Sequence, residues 1–295
     1  MVDSTSRLAP ADLFIVVFVP VIWGLNFIFI KDALPWFATP QVFNAVRWIL
    51  ATSVLLVLVV SRRDPLWIAP REWGRLALVA GVGIVLQQLT FINGIQLTTA
   101  GHAALIMGLS PIMVALAGGV IGLGRVDRGT WTAIVLSVLG LALLVRPGVA
   151  GLPATAWLGD LLILASAACW AQYTLASRPL TIHYPPAAVT TVAVGMATAV
   201  LIGVALPDLH AQSWARVPLA AWGGLVYSGA LSIAFNYAVW STAIRRIGTA
   251  RTAILANLNP VVAVVAAWIL LGEQLDAWQA LGAALVVAGI SLTRR

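Results

Sequence analysis

Ten apolar runs of roughly membrane-spanning length follow one another along the chain. They occupy residues 12–31, 40–60, 73–93, 98–122, 129–146, 155–176, 187–206, 218–242, 248–271 and 276–293. Most are near the ~20 residues that carry an α-helix across the hydrocarbon of a bilayer. Short polar breaks between them hold most of the charge. The pattern predicts an all-α polytopic membrane protein with ten transmembrane helices, because a helix satisfies its own backbone groups where water is absent.

The pattern is also written twice. Pro111 sits midway along one apolar run and Pro260 midway along another, 149 residues later. At the same offset Asp127 answers Asp276, Gly140 answers Gly289 and Phe91 answers Trp240; Trp23 in the first run and Trp170 in the sixth pair at an offset of 147. Five runs separate each element from its copy, and five is odd, so the second half crosses in the opposite sense. The expected organisation is an inverted 5+5 repeat, with residues 1–146 as the first unit (helices 1–5) and residues 147–295 as the second. Binding sites in such proteins lie near the midplane, where helices are broken. A proline deep in a helix leaves a carbonyl one turn earlier without its donor, so Pro111 and Pro260 are the expected hinges.

Composition narrows the class. The chain is 61% hydrophobic and 9% charged, with a mean hydropathy of +0.98, which leaves no room for a sizeable soluble domain. A net charge of +7 would suggest nucleic acid in a soluble protein. Here thirteen basic residues, among them Arg62, Arg63, Arg245 and Arg246, fall in segments on one side, against Lys31, Arg146 and Arg216 on the other. The positive-inside rule then puts both termini in the cytoplasm. Tryptophans near the run ends, such as Trp36, Trp67, Trp131 and Trp278, suit the interfacial belt. Gly195, Ala199 and Gly203 at helical spacing predict close helix packing.

Polar residues inside spans are costly and need a reason. Asn26, Asn236, Asn257, Asn259 and Arg47 lie in runs, the last about two turns deep. They are expected to converge on a polar cavity, with Arg47 holding a substrate carboxylate and the asparagines accepting from an ammonium. Trp23 and Trp170, with Tyr173 and Trp240, supply aromatic surface for a side chain. His102 begins the fourth run and is the one easy proton acceptor. All ten acids lie at run ends, in loops or in the tail. That pattern favours facilitated or weakly coupled movement over a dedicated ion pump.

Several of these residues carry a resemblance. Trp23-Gly24-Leu25-Asn26-Phe27 followed by Lys31, and Arg47 in the second run, resemble the opening of EamA-type permeases. Thr98 to Ile106 followed by Pro111 is similar to that family's fourth-helix signature. Pro260, then Leu271-Gly272-Glu273-Gln274-Leu275 and Gly282, resembles the end of its second repeat. The first half departs from the Leu-Gly-Glu pattern, with Gly122-Leu123-Gly124-Arg125 in its place. The resemblance covers the whole chain and implies the drug/metabolite transporter superfamily, whose members export amino acids, other metabolites and drugs or carry nucleotide-sugars and sugar phosphates.

The expected function is therefore export of small metabolites, amino acids above all and neutral or aromatic ones in particular, by alternating access across a bacterial inner membrane. Its partners are a small-molecule substrate and lipid, with no cofactor, metal or nucleic acid, and the chain acts as a monomer or weak homodimer. A second reading is a carrier of phosphorylated or anionic metabolites, with Lys31, Arg47 and His102 as an anion clamp. A channel fits bent inverted repeats too. An intramembrane enzyme lacks a serine placed beside His102 and carboxylates clustered for Mg²⁺.

Overall fold

Apolar length and local caps decide where the helices run. This computed structural model describes residues 10–121, 128–144, 155–247, 249, 252, 259–273 and 276–292. Helix α1 spans Pro10–Ala33. Helix α2 (Pro40–Arg62) starts where Thr39 Oγ1 accepts the Val42 amide, with Pro40 at the first helical position, where its missing N–H costs nothing. It ends on Arg63, whose φ of 56° turns the chain out of the helix. The third run is composite: α3 (Trp73–Ala80), a π-helical stretch at Gly81–Leu86, and α4 (Gln87–Leu97). Next come α5 (Ala100–Met107), α6 (Ser110–Val120), α7 (Arg128–Leu144), α8 (Ala156–His183) and α9 (Pro186–Leu209). The eighth run repeats the composite build: α10 (Leu219–Val226), a π-helical stretch at Tyr227–Phe235, and α11 (Asn236–Ile247). Helices α12 (Asn259–Leu271) and α13 (Ala277–Leu292) close the described chain.

Seven of these stretches are long and apolar enough to cross a membrane: Phe18–Trp36, Pro40–Arg62, Pro70–Leu97, Ala100–Val120, Ala156–His183, Pro186–Leu209 and Leu219–Arg246. Three shorter apolar helices, Ile134–Leu143, Asn259–Leu271 and Ala277–Gly289, fall within the fifth, ninth and tenth predicted runs. Large apolar side chains such as Val57, Val120 and Leu219 point outward, which hydrocarbon tolerates and water penalises.

Tight crossings occur where glycines leave room. A Cβ on Gly94 would lie 3.0 Å from Gly159 O, and one on Gly159 would lie 2.8 Å from Gly94 O, so α4 and α8 meet backbone to backbone. The small-residue stripe expected on α9 is different. Gly195 has only a Thr52 methyl at ordinary contact distance, and nothing lies within 4 Å of where a Cβ on Gly203 would sit. Those two glycines make no close crossing themselves, although α9 packs on α2, where Thr198 Oγ1 lies 2.8 Å from Thr52 Oγ1.

Pro111 was expected to bend one continuous helix. The chain instead breaks: α5 stops at Met107, Gly108 and Leu109 close it with amide bonds to Ala104 O and Ile106 O, and α6 restarts at Ser110 with Pro111 in its first turn. Pro260 is likewise the second residue of α12. Two large apolar cores form, beside two small clusters around Leu105 and Val114. One gathers Trp48, Trp170, Tyr173, Tyr237 and Trp240; the other gathers Phe27, Phe43, Phe91 and Ile30.

Candidate functional site

A cavity of about 80 Å³ lies where the two cores meet. At the ~10–15 Å³ that one water centre needs, it holds several waters or one small solute in their place. Trp23, Asn26 and Phe27 reach it from α1, Arg47 from α2, and Gln87, Gln88 and Phe91 from α4. Met107 and Ser110 border it from the two sides of the α5–α6 break. Trp170, Ser232, Ile233, Tyr237 and Asn259 complete the wall.

Arg47 is 1% exposed. Its Nε donates to Asn44 Oδ1 at 2.9 Å, Nη1 donates to Ser228 Oγ at 2.9 Å, and Nη2 donates to Gln88 Oε1. The guanidinium carbon lies 5.5 Å from the centre of the Phe43 ring and 6.0 Å from that of Phe91. A guanidinium has five N–H donors and these bonds use three. Among the described residues, no carboxylate pairs with it. Gln88 is held in turn: its Nε2 donates to Gln87 Oε1 at 2.6 Å, and Gln87 Nε2 donates to Ser166 Oγ at 2.8 Å.

The acceptors near this cation are neutral. Asn26 Oδ1 and Asn259 Oδ1 are buried and have no hydrogen-bond partner among the described residues. A buried amide oxygen without a donor costs about 1–3 kcal/mol, so each suits a donor brought by a bound molecule. The aromatic wall is braced. Trp23 meets Trp170 edge to face at 5.4 Å, and its Nε1 donates to the Ser232 carbonyl at 2.9 Å. Trp170 stacks on Tyr173 at 4.9 Å, so one face of its indole is already covered.

Five of the sequence-predicted residues therefore share one cavity: Trp23, Asn26, Arg47, Trp170 and Asn259. Tyr173, Trp240 and Asn236 stand behind it, fully buried. Asn236 Nδ2 donates to Val19 O at 3.2 Å. Asn257 lies outside the described residues. His102 is elsewhere, paired with Asp160 on α8 at 3.3 Å and with Gln279 on α13 at 2.8 Å. Lys31 is also spoken for: its ammonium donates to the carbonyls of Ile95, Gln96 and Thr98 at the end of α4. Neither residue reaches the cavity. Phe27, Phe91 and Met107 were missed, because an apolar residue in an apolar helix carries no mark of its own. Gln88 was legible as a polar residue in a span, and Phe91 follows Gln87 by one turn on the same face.

Comparison with known proteins agrees with this architecture. The model of the EamA-like transporter family matches residues 11–146 and again 157–295. The chain is 32% identical to the threonine/homoserine exporter RhtA of Escherichia coli, over 90% of this chain and 86% of that one. It is 28% identical to a "Probable amino-acid metabolite efflux pump" of Salmonella typhimurium, over 95% of this chain and 93% of that one. A crystal structure of 18% sequence identity superposes with a TM-score of 0.71 over 97% of both chains, a likeness of fold. With a family model matched across nearly its whole length and an exporter relative above 30% identity, the chain belongs to the EamA-like transporter family.

Proposed function

We propose that this protein exports small amino acids across a bacterial inner membrane by alternating access, with ten crossings built as an inverted repeat of residues 1–146 and 147–295. The observation that carries the substrate class is Arg47, a buried cation with spare N–H donors and no carboxylate partner among the described residues, facing a cavity with two unpaired amide oxygens. A zwitterion supplies what each lacks: its carboxylate for Arg47, its ammonium for Asn26 and Asn259. Trp23 and Trp170 bound the space left for the side chain, which favours neutral residues of modest size. Relatives named for amino-acid export support the same reading.

Support for the inversion comes from paired details. The π-helical stretches end at Leu86 and Phe235, 149 positions apart. The residues that follow, Gln87 and Asn236, each reach across to a helix of the other half, at Ser166 and Val19. Ser166 stands 147 positions after Val19, the offset that also separates Trp23 from Trp170.

The anionic-metabolite reading needs Lys31 and His102 beside Arg47, and both are engaged elsewhere. Counter-flow in proteoliposomes separates the readings. Loaded threonine, alanine or a small aromatic amino acid should accelerate exchange, whereas acceleration by sugar phosphates alone would replace the amino-acid reading. Flux that never saturates would point to a channel. A cysteine beside Arg62 should react only from the cytoplasmic side and one beside Asp208 only from outside.

A further inference from the structure

A second buried polar group lies at the end of the bundle that carries Thr98. His102 is 1% exposed and Asp160 is 3% exposed. One oxygen of Asp160 faces His102 Nδ1 at 3.3 Å, and the other accepts from Thr98 Oγ1 at 2.6 Å. On the far side of the ring, His102 Nε2 lies 2.8 Å from Gln279 Nε2. Three helices are joined this way: α5 by His102, α8 by Asp160 and α13 by Gln279.

Gln279 fixes where the protons are. Its Oε1 accepts the Asp276 backbone N–H at 2.9 Å, and Asp276 Oδ1 accepts the Gln279 backbone N–H at 2.8 Å. This reciprocal pair is a capping box at the start of α13. It turns the amide oxygen toward the cap and the NH₂ group toward His102. An NH₂ group only donates, so His102 Nε2 accepts and the single ring proton sits on Nδ1, donated to Asp160. The arrangement exists only with a neutral imidazole. A proton added at Nε2 places two donors face to face. Turning the amide over would face its NH₂ against the Asp276 N–H and break the cap. Either way one bond holding α13 is lost.

We propose that His102 is a proton-binding site that latches α13 to α5 and α8 when neutral and releases α13 when a proton from the outer aqueous phase binds Nε2. Acid outside then opens that end of the pathway. The Nδ1–H stays with Asp160, so the new cation keeps a counter-ion while its other bond is lost. Of the charged groups on the surrounding elements, Asp32 of α1 is exposed and Arg128 is the first residue of α7. Lys31 of α1 bonds carbonyls at the end of α4, and Glu273, after α12, bonds the Ala100 and Gly101 amides. Asp276 belongs to the α13 cap. Within their helical spans α4, α12 and α13 carry no titratable side chain. Among these residue types only imidazole ordinarily changes charge between about pH 5 and 8.

The proposal rests on the transport reading, and on its predicted orientation, for the statement that opening serves flux to the outside; the latch itself is tested without substrate. Gln96 and Ala277 are exposed at this end of the bundle. Spin labels on cysteines at both positions, in a Cys169→Ala background in lipid nanodiscs, report the distance from the end of α4 to the start of α13. The fraction at longer distance should rise several-fold from about pH 8 to about pH 5.5. His102→Gln should abolish that response. Gln279→Leu leaves His102 and Asp160 in place and removes the bond to the ring together with the Oε1 half of the cap, so the longer distance should dominate at both pH values. A distribution in the parent that ignores pH, an acid response surviving in His102→Gln, or a closed Gln279→Leu would each overturn the latch. Failure of amino-acid counter-flow would strike the substrate reading instead and leave these distances unchanged.

Discussion

A Cβ placed on Gly229 would lie 2.7 Å from the carbonyl oxygen of Arg47. The π-helical stretch Tyr227–Phe235 therefore meets α2 backbone to backbone at the level of the buried guanidinium. Ser228, the preceding residue, accepts from Arg47 Nη1. The missing side chain at Gly229 is what brings that hydroxyl within reach of the cation.

Gly229→Ala should push the two helices apart. The overpacking costs about 1–3 kcal/mol, which lowers the melting temperature in detergent, and it moves Arg47, which raises KM for the exported solute. Gly223→Ala is the control, since nothing lies within 4 Å of a Cβ there. If both variants melt and transport alike, the crossing yields without cost and the argument fails.

Much of this fold was legible because a bilayer demands long apolar helices, and run length alone locates them. Convergence of Trp23, Asn26, Arg47, Trp170 and Asn259 was legible because each is a costly or bulky residue inside a span. The partners of Lys31 and His102 were not. Lys31 bonds a carbonyl 64 positions away and His102 a carboxylate 58 positions away, and no local pattern encodes either. Asp160 reads as a residue near a helix start, yet packing of α4 and α5 against α8 leaves it 3% exposed. The π-helical stretches carry no signature in the run of apolar residues, which suits an α-helix equally well.

Glu273 belongs to the Leu271-Gly272-Glu273 motif, and Gly272 takes a φ of +67° that a larger residue would strain. The turn aims the carboxylate at the first amides of α5, accepting from Ala100 N at 2.8 Å and Gly101 N at 2.9 Å. Negative charge at a helix N-terminus contributes about 0.3–1 kcal/mol, and up to ~2 when partly buried. Glu273→Gln keeps one acceptor and loses the charge, so thermal unfolding should shift down by a few degrees while residual transport persists. Identical melting of the two proteins would remove the cap from the account.

Pro111 cannot donate to the carbonyl of Met107, and the chain breaks there with Met107 and Ser110 on the cavity. Pro111→Ala restores the donor and should join α5 and α6 into one helix. Folding should survive and exchange should slow, because a continuous helix resists the movement that opens the cavity. The measurement is counter-flow rate per molecule in the membrane, and an unchanged rate would show that the break is static architecture.

Recognition gives the sharpest test. Arg47 presents a planar fork held by Asn44, Ser228 and Gln88, and Lys presents a single ammonium that cannot span the same acceptors. Arg47→Lys keeps the charge, so insertion should survive, but carboxylate binding loses geometry and kcat/KM should fall about tenfold or more, equivalent to ~1.4 kcal/mol. Trp170→Ala acts on the other end of the solute. It removes a ring packed between Trp23 and Tyr173, so bulky apolar substrates should suffer more than alanine or threonine, for which less stacking area is at stake. Both are read as uptake into vesicles across a series of amino acids, normalised to membrane protein. Wild-type flux in Arg47→Lys would leave the carboxylate without its partner. Uniform loss over the series in Trp170→Ala would assign that ring to packing alone.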